Sequence, residues 1–421
     1  MKRRAFLAAS AFLSLFSAAP ALAKPVQKKG ATAKTPAKGA AKTAAKPAAK
    51  GHGKAPLHHR GTTAGLRDTG GGSGFRQSRP MAAASLTPPP QFEWREYQIT
   101  GKLQAKLPGR GRSRAWIPLP RESDWQRDMD VTWKGNFERI GLKRDPGSDL
   151  TFLVADWKDG TTPELEITTR VATRQRLFDI TRRGNRNEDE ETLQRFLQGS
   201  SKLPLDGAIA DAAERITGRI REPMPQARAF YDWIIDQPLK PGAASQCASG
   251  DLQALVGPGG QVTLCDDALG WNASALFVGL CRASGIPARV VYGQRIGESR
   301  QFPSLGATGN VATAQHCRAE FYVAAYGWVP VDPADARRAM IQDNLRSDDA
   351  KTVALKRRLF GFWEMNWIAY HTGGDVRLPG GPDRPLGWVI APQVALGDGP
   401  EAVLLPADAV IWQQESRGVD S

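Results

Sequence analysis

Three side chains in the second half of the chain have the types and the order that thiol-based acyl transfer requires. Cys265 supplies a thiol, His316 an imidazole and Asp332 a carboxylate. In such a triad the thiolate attacks a carbonyl carbon, the imidazole moves the proton, and the carboxylate fixes the imidazole tautomer. His316 opens a predicted strand and Asp332 ends the next, so an antiparallel hairpin with a turn at Gly327 would bring them together. The sequence therefore predicts a catalytic site of Cys265, His316 and Asp332 that acts on peptide or protein amides.

Sequence motifs around these residues are specific. One runs Arg-Ala-Ser-Gly-Ile-Pro-Ala-Arg from Arg282 to Arg289, and another runs Gly-Trp-Val-Pro-Val-Asp-Pro from Gly327 to Pro333. With the strand that His316 opens, they resemble the bacterial exported transglutaminase-like family, and weaker matches extend the resemblance over about residues 92–395. The resemblance implies a papain-like core with the nucleophile at a helix N-terminus and the histidine and aspartate on adjacent strands. It also implies acyl transfer, either to water or to an amine.

The position of Cys265 leaves two alternatives open. In the family about twelve residues separate the nucleophilic cysteine from the arginine that opens the first motif, whereas here the difference 282 − 265 is 17. Counting back twelve reaches Gly270, although the Cys-Asp-Asp run at Cys265 resembles the family's Cys-x-Asp. If five inserted residues loop out before the helix, Cys265 is the nucleophile. If the helix begins near Asn272 and Gly270 faces His316, the protein is a catalytically silent homologue that binds envelope peptides or polymers.

The N-terminal segment predicts export followed by a disordered tether. Residues 1–23 combine a basic start at Lys2 with an apolar run and a small-residue cleavage site ending at Ala23, as in a Sec or twin-arginine signal peptide. A signal anchor is the alternative, but the apolar run is shorter than the ~20 residues that span a bilayer. Residues 24–91 repeat Lys, Ala, Pro and Gly and lack core-forming side chains. We therefore expect a periplasmic or otherwise exported protein with no transmembrane span after signal removal.

The positive charge of the chain belongs to this N-terminal segment. Residues 1–90 contain 10 Lys, 6 Arg and 1 acidic residue, a net +15, so the whole-chain net of +14 leaves −1 for residues 91–421. Such a tether is either a solvated spacer or a binding segment for an anionic envelope polymer. The export signal argues against nucleic acid as a partner.

Residue patterns divide the remaining chain into two folded parts. Short alternating runs with Pro-Gly and Asp-Gly turns predict an antiparallel β-sandwich accessory domain over residues 92–185. Apolar residues at helical spacing, from Ala227 and again from Ala273, precede three predicted strands. They predict the transglutaminase-like core, with a C-terminal extension, over residues 186–400, and residues 401–421 are predicted to be a tail. The fold class is thus α+β: a papain-like transglutaminase core preceded by a β-sandwich and a disordered basic N-terminal tail.

The remaining cysteines and histidines predict neither a metal site nor a cofactor. Cys247, Cys281 and Cys317 lack paired metal-ligand spacing, and the folded part carries the histidines His316 and His371. Cys281 lies on an apolar helix stripe and is expected in the core. Cys317 should point away from His316, because neighbouring residues of a strand face opposite sides. Without a recognisable calcium loop, the chain resembles hydrolytic or uncharacterised bacterial members of the family more than calcium-dependent enzymes.

Overall fold

The computed structural model describes residues 93–179, 181, 187–237, 252–256, 262, 264 and 270–419, which lie in one compact unit, Ser85–Ser421. The predicted export signal and tether lie outside the described residues, as do Cys247 and Cys265. Within the described ranges, no helix has the length and apolar character needed to cross a membrane.

Strands dominate the beginning and end of the described chain, and most helices lie between them. The strands are β1 (Arg95–Ala105), β2 (Ser113–Pro118), β3 (Gln126–Gly135), β4 (Arg139–Asp145), β5 (Leu150–Trp157), β6 (Glu164–Thr173), β7 (Arg176–Leu177), β8 (Ala288–Arg295), β9 (Gly309–Asn310), β10 (Gln315–Val323), β11 (Gly327–Val331), β12 (Phe362–Trp363), β13 (Trp367–His371), β14 (Gln393–Leu396), β15 (Val403–Leu404) and β16 (Val410–Val419). The helices are α1 (Glu190–Arg195), α2 (Ala208–Thr217), α3 (Pro223–Asp236), α4 (Leu252–Leu255), α5 (Trp271–Ala283), α6 (Pro333–Gln342) and α7 (Ala350–Arg358).

Two five-stranded antiparallel sheets pack face to face. One has the strand order β3-β6-β1-β16-β9 and the other β15-β14-β2-β5-β4. Because side chains alternate along a strand, every second residue of β1 turns inward. Leu103 of β1 joins Ile117 of β2 and Leu153 of β5 in the apolar cluster between the sheets. The alternating runs of the sequence therefore become the inner faces of a sandwich.

One strand of the first sheet comes from the C-terminus. β16 pairs with β1 along its length, with Leu103 opposite Trp412. Gly101 makes room for this pairing, because a Cβ at Gly101 would overlap the Trp412 indole. Residues 401–421, predicted from the sequence to be a tail, thus contribute β15 and β16. Their short and mostly polar pattern gives little signal, because β16 has one face in solvent and depends on a partner strand more than 300 residues earlier in the chain.

A second layer consists of a four-stranded antiparallel sheet, with the order β11-β10-β8-β13, and the helices that cover it. Helix α5 packs on this sheet and buries Leu276, Phe277 and Leu280 completely. A helix that is apolar nearly all round is expected at the centre of a domain, and α2, α3 and α6 surround α5. This mixture of helices and antiparallel sheets confirms the predicted α+β class.

The buried side chain of Gln126 joins the sandwich to the second layer. Its Nε2 donates to the Ala369 carbonyl oxygen at 2.8 Å, and its Oε1 accepts the Ala369 N–H at 2.7 Å. Nε2 also donates to the Arg121 carbonyl oxygen at 2.7 Å. Strand β13 is the edge of its sheet, so the Gln126 amide takes the place of a neighbouring strand and leaves no buried peptide group of Ala369 unpaired.

His371 belongs to a stack of rings in the second layer. Its ring centroid lies 4.5 Å from that of Tyr292, with the planes 10° apart. Nδ1 donates to the Gly373 carbonyl oxygen at 2.8 Å, and Nε2 accepts the Val389 N–H at 3.3 Å. These partners fix a neutral imidazole with its proton on Nδ1. Burial lowers the pKa of His371 to about 4.

We expect the unfolding free energy to fall between pH 7 and pH 5, with His371 contributing about 2 kcal/mol of that fall. An unfolded histidine titrates near 6.5, so over this interval the unfolded chain binds a proton that folded His371 refuses. His371→Gln should therefore lose about 2 kcal/mol less than wild type over the same interval. Urea unfolding of both proteins at the two pH values measures the difference, and identical pH dependences would contradict it.

Candidate functional site

The hairpin of β10 and β11 brings His316 and Asp332 together. Its register pairs Ala319 with Val331, so Asp332, which directly follows β11, lies near the first residues of β10. His316 Nε2 is 2.9 Å from Asp332 Oδ2, and both side chains are 1% exposed. The structure thus places two of the three predicted site residues in hydrogen-bond contact.

Asp332 is also the N-cap of α6, and this role orients its carboxylate. Its Oδ1 accepts the Asp335 N–H at 2.9 Å, and Pro333 occupies the first turn of the helix, where a missing N–H costs nothing. The cap uses one carboxylate oxygen. The other oxygen remains for His316.

Three further charged residues complete a buried network that the sequence analysis missed. Asp335 Oδ1 lies 3.3 Å from His316 Nε2, and Arg295 Nη2 donates to the same oxygen at 2.5 Å. Arg318 Nε donates to Asp332 Oδ2 at 3.1 Å. The Asp-Pro-Ala-Asp spacing was a usable signal, because residues three apart at a helix start share a face. The two arginines gave none, since their roles depend on strand register.

The charges of this network keep His316 neutral. Burial lowers the pKa of His316 well below its usual value, and the Arg295 guanidinium lowers it further. Burial also raises the pKa values of Asp332 and Asp335, which the guanidiniums of Arg295 and Arg318 oppose. Two carboxylates balance two guanidiniums, so no net negative charge stabilises an imidazolium. A neutral His316 donates its Nε2 proton to Asp332 and directs the Nδ1 lone pair the other way.

His316 Nδ1 faces Gly270, the N-cap of helix α5. A Cβ built at Gly270 would lie 3.0 Å from His316 Nδ1, 2.9 Å from its Cε1 and 2.7 Å from Ala334 Cβ. Real side chains avoid such distances, so the imidazole and Ala334 occupy the volume that a nucleophilic side chain would need. Gly270 also has φ 67°, a left-handed conformation that favours glycine. Within the described part of the chain, Nδ1 has no hydrogen-bond partner.

The described cysteines lie away from this arrangement. Cys281 is buried near the end of α5, and burial raises the pKa of its thiol well above the usual range. Cys317 is buried beside His316 on β10, and strand alternation turns it to the opposite face of the sheet. The predicted nucleophile, Cys265, lies outside the described residues, whereas α5 begins at Trp271.

His316, Asp332 and Asp335 offer three possible metal ligands within 4.8 Å of one another. Both carboxylates already accept from guanidiniums, Asp332 from Arg318 and Asp335 from Arg295. A divalent cation would have to displace these buried positive charges or lie beside them, and either costs free energy. The residues present therefore do not fit a metal ion.

Comparison with known proteins agrees with this architecture. Residues 210–333 match the model of the Transglutaminase-like superfamily. The matched span begins in α2 and ends at the first residue of α6, so it includes Gly270, His316 and Asp332. These residues form a transglutaminase-like domain, as the sequence motifs predicted.

Individual relatives are more distant. An uncharacterized protein of Haemophilus influenzae is 27% identical over 325 residues, which cover 72% of this chain and 86% of that one. Among solved structures, a protein of Cytophaga hutchinsonii provisionally assigned as a cysteine protease is 16% identical, with a TM-score of 0.46, over 78% of this chain and 92% of that one. The periplasmic domain of TgpA from Pseudomonas aeruginosa is also 16% identical, with a TM-score of 0.28, over 60% of this chain and 94% of that one.

Proposed function

We propose that the protein is a non-catalytic transglutaminase-like protein that binds peptides or polymers of the cell envelope. The observation that carries the proposal is the approach of Gly270 to His316, where a built Cβ would lie 3.0 Å from Nδ1. In a cysteine acyltransferase this imidazole nitrogen takes a proton from a thiol within hydrogen-bond reach. Here it faces a residue that has no side chain.

The same contacts argue against a water molecule as a substitute nucleophile. A general base must lie within hydrogen-bond reach of the proton that it removes. His316 is 1% exposed, and Gly270 and Ala334 cover its Nδ1 side. We infer that neither a thiol nor a water reaches Nδ1 unless α5 moves.

Cysteine acyl transfer through Cys265 is the second candidate. One observation favours it: the hydrogen bond of 2.9 Å between His316 and Asp332 is the contact that orients the imidazole in a catalytic triad. In that mechanism the Cys265 thiolate attacks an amide carbonyl, His316 protonates the leaving amine, and water or an amine releases the acyl group. It requires Cys265 to replace Gly270 beside Nδ1.

The experiment compares wild type with Cys265→Ser on a library of fluorescent peptide amides. Fluorescence polarisation measures binding, and mass spectrometry measures hydrolysis or amine transfer. The proposal predicts that both proteins bind the same peptides and that neither converts them. Conversion by wild type that Cys265→Ser abolishes would establish the second candidate, and failure of both proteins to bind would remove the binding function.

We also propose that the protein is exported and that residues 24–91 bind an anionic envelope polymer. The support is the net charge of +15 on residues 1–90, against −1 on the remainder. Deleting residues 24–90 should weaken retention on such a polymer at low salt more than at high salt. Unchanged retention at low salt would contradict this proposal.

A further inference from the structure

A half-buried arginine at the junction of the sandwich and the second layer has no charge partner among the described residues. Arg121 lies beyond the end of β2, and its backbone N–H donates to the Ala369 carbonyl oxygen at 2.9 Å. No hydrogen bond or ion pair joins its guanidinium to another described side chain or carbonyl. Burial lowers the pKa of Arg121. Such a group is costly unless something pairs with it.

The carboxylate that acts on Arg121 is engaged elsewhere. Asp149 raises the pKa of Arg121 through space, but it forms no ion pair with it. Asp149 Oδ1 lies instead 3.3 Å from Nη2 of Arg144, and this pair is partly exposed. Asp149 therefore leaves the Arg121 guanidinium without a direct acceptor.

Arg289 offers a second guanidinium that is already held in place. Its Nε donates to Glu320 Oε2 at 2.5 Å, and its guanidinium carbon lies 3.9 Å from the centroid of the Trp328 ring. The other oxygen of Glu320 accepts from Arg176, so one carboxylate serves two guanidiniums. Arg121 is close enough for its charge to lower the pKa of Arg289.

The charges of this neighbourhood do not balance. Positive charges come from Arg121, Arg176 and Arg289, whereas the negative charges that act on them are those of Glu320 and Glu188. The Glu188 carboxylate is partly occupied as well, because it accepts the indole N–H of Trp328 at 2.6 Å. Three guanidiniums face two carboxylates, which leaves an excess of one positive charge.

We propose that Arg121 and Arg289 form a binding site for an oxyanion, either a phosphate or a carboxylate group. A guanidinium presents several N–H donors in one plane, which suits both kinds of oxyanion. Arg289 is positioned in advance by Glu320 and Trp328, and Arg121 supplies the charge without a partner. This site is separate from His316, so it stands or falls independently of the missing nucleophile.

Thermal unfolding of the full chain at constant ionic strength tests the site, with sodium chloride exchanged for phosphate in one series and for acetate in another. Phosphate or acetate should raise the Tm of wild type by about 2 °C or more. Arg121→Gln should show no rise, and its Tm in sodium chloride alone should equal or exceed that of wild type, because an unpaired charge is removed. Arg121→Lys, which keeps the charge, should retain part of the rise.

A matched control is Arg346→Gln, which removes an arginine from an exposed ion pair with Asp348. This variant should keep the full anion-dependent rise in Tm. A rise with phosphate alone would identify a phosphate group as the ligand, and a rise with acetate alone would identify a carboxylate. An equal rise in wild type and Arg121→Gln, or no rise in wild type with either anion, would overturn the proposal.

Discussion

Asp335→Ala should lower the unfolding free energy by about 3–5 kcal/mol, because it leaves a buried guanidinium without its partner. Arg295 Nη2 lies 2.5 Å from Asp335 Oδ1, and the two side chains are 4% and 3% exposed. Asp335 also lies 3.3 Å from His316 Nε2, so the substitution disturbs the candidate site itself. Urea unfolding of wild type and variant measures the loss.

Two further proteins show whether burial is the cause. Asp348→Ala breaks an exposed ion pair with Arg346 and should change the unfolding free energy by less than about 1 kcal/mol. Adding Arg295→Met to Asp335→Ala removes the uncompensated charge and should recover about 2 kcal/mol. If Asp335→Ala costs no more than Asp348→Ala, the network does not hold the site together.

Gly270→Cys combined with Ala334→Gly should create a reactive thiol. The second substitution removes the Cβ that would lie 2.7 Å from the new one, so the His316 ring has only a small shift left to make. A thiol at a helix N-terminus beside an imidazole has a depressed pKa. Iodoacetamide at neutral pH should therefore alkylate it roughly tenfold or more faster than the native cysteines.

The single variant Gly270→Cys is the matched comparison. It retains the collision with Ala334 and forces a non-glycine residue into φ 67°, which costs about 1–2 kcal/mol. We expect it to be less stable and less reactive than the double variant. Adding His316→Ala to the double variant should abolish the enhanced alkylation. Fast alkylation that survives His316→Ala would mean that the imidazole does not activate the position of Gly270.

Local patterns in the sequence were sufficient to predict the pairing of His316 with Asp332. Both residues lie on one hairpin, so their proximity follows from a short stretch of chain and a turn at Gly327. The α+β class was predictable for the same reason, since alternating runs and helical spacing are local. Asp335 was also within reach, because the cap at Asp332 sets the face of the first helical turn.

Contacts between distant segments were not predictable from such patterns. Arg295 reaches Asp335 because β8 pairs with β10 in one particular register, which no local pattern encodes. β16 is a strand only because β1 offers a partner edge. The start of α5 was the critical case: the sequence left two alternatives, and a left-handed Gly270 against the His316 ring distinguishes the geometry of one from the other.

The rate at which a thiol-directed electrophile modifies each cysteine of wild type, measured against pH, tests the central claim most directly. Iodoacetamide labelling followed by peptide mapping would be carried out on wild type and His316→Ala. A silent site predicts that Cys265 reacts as an ordinary thiol, with a pKa near 8.5, at a rate that His316→Ala leaves unchanged. If Cys265 instead reacts rapidly below pH 7 and loses that reactivity in His316→Ala, the protein is a cysteine acyltransferase and the silent assignment is wrong.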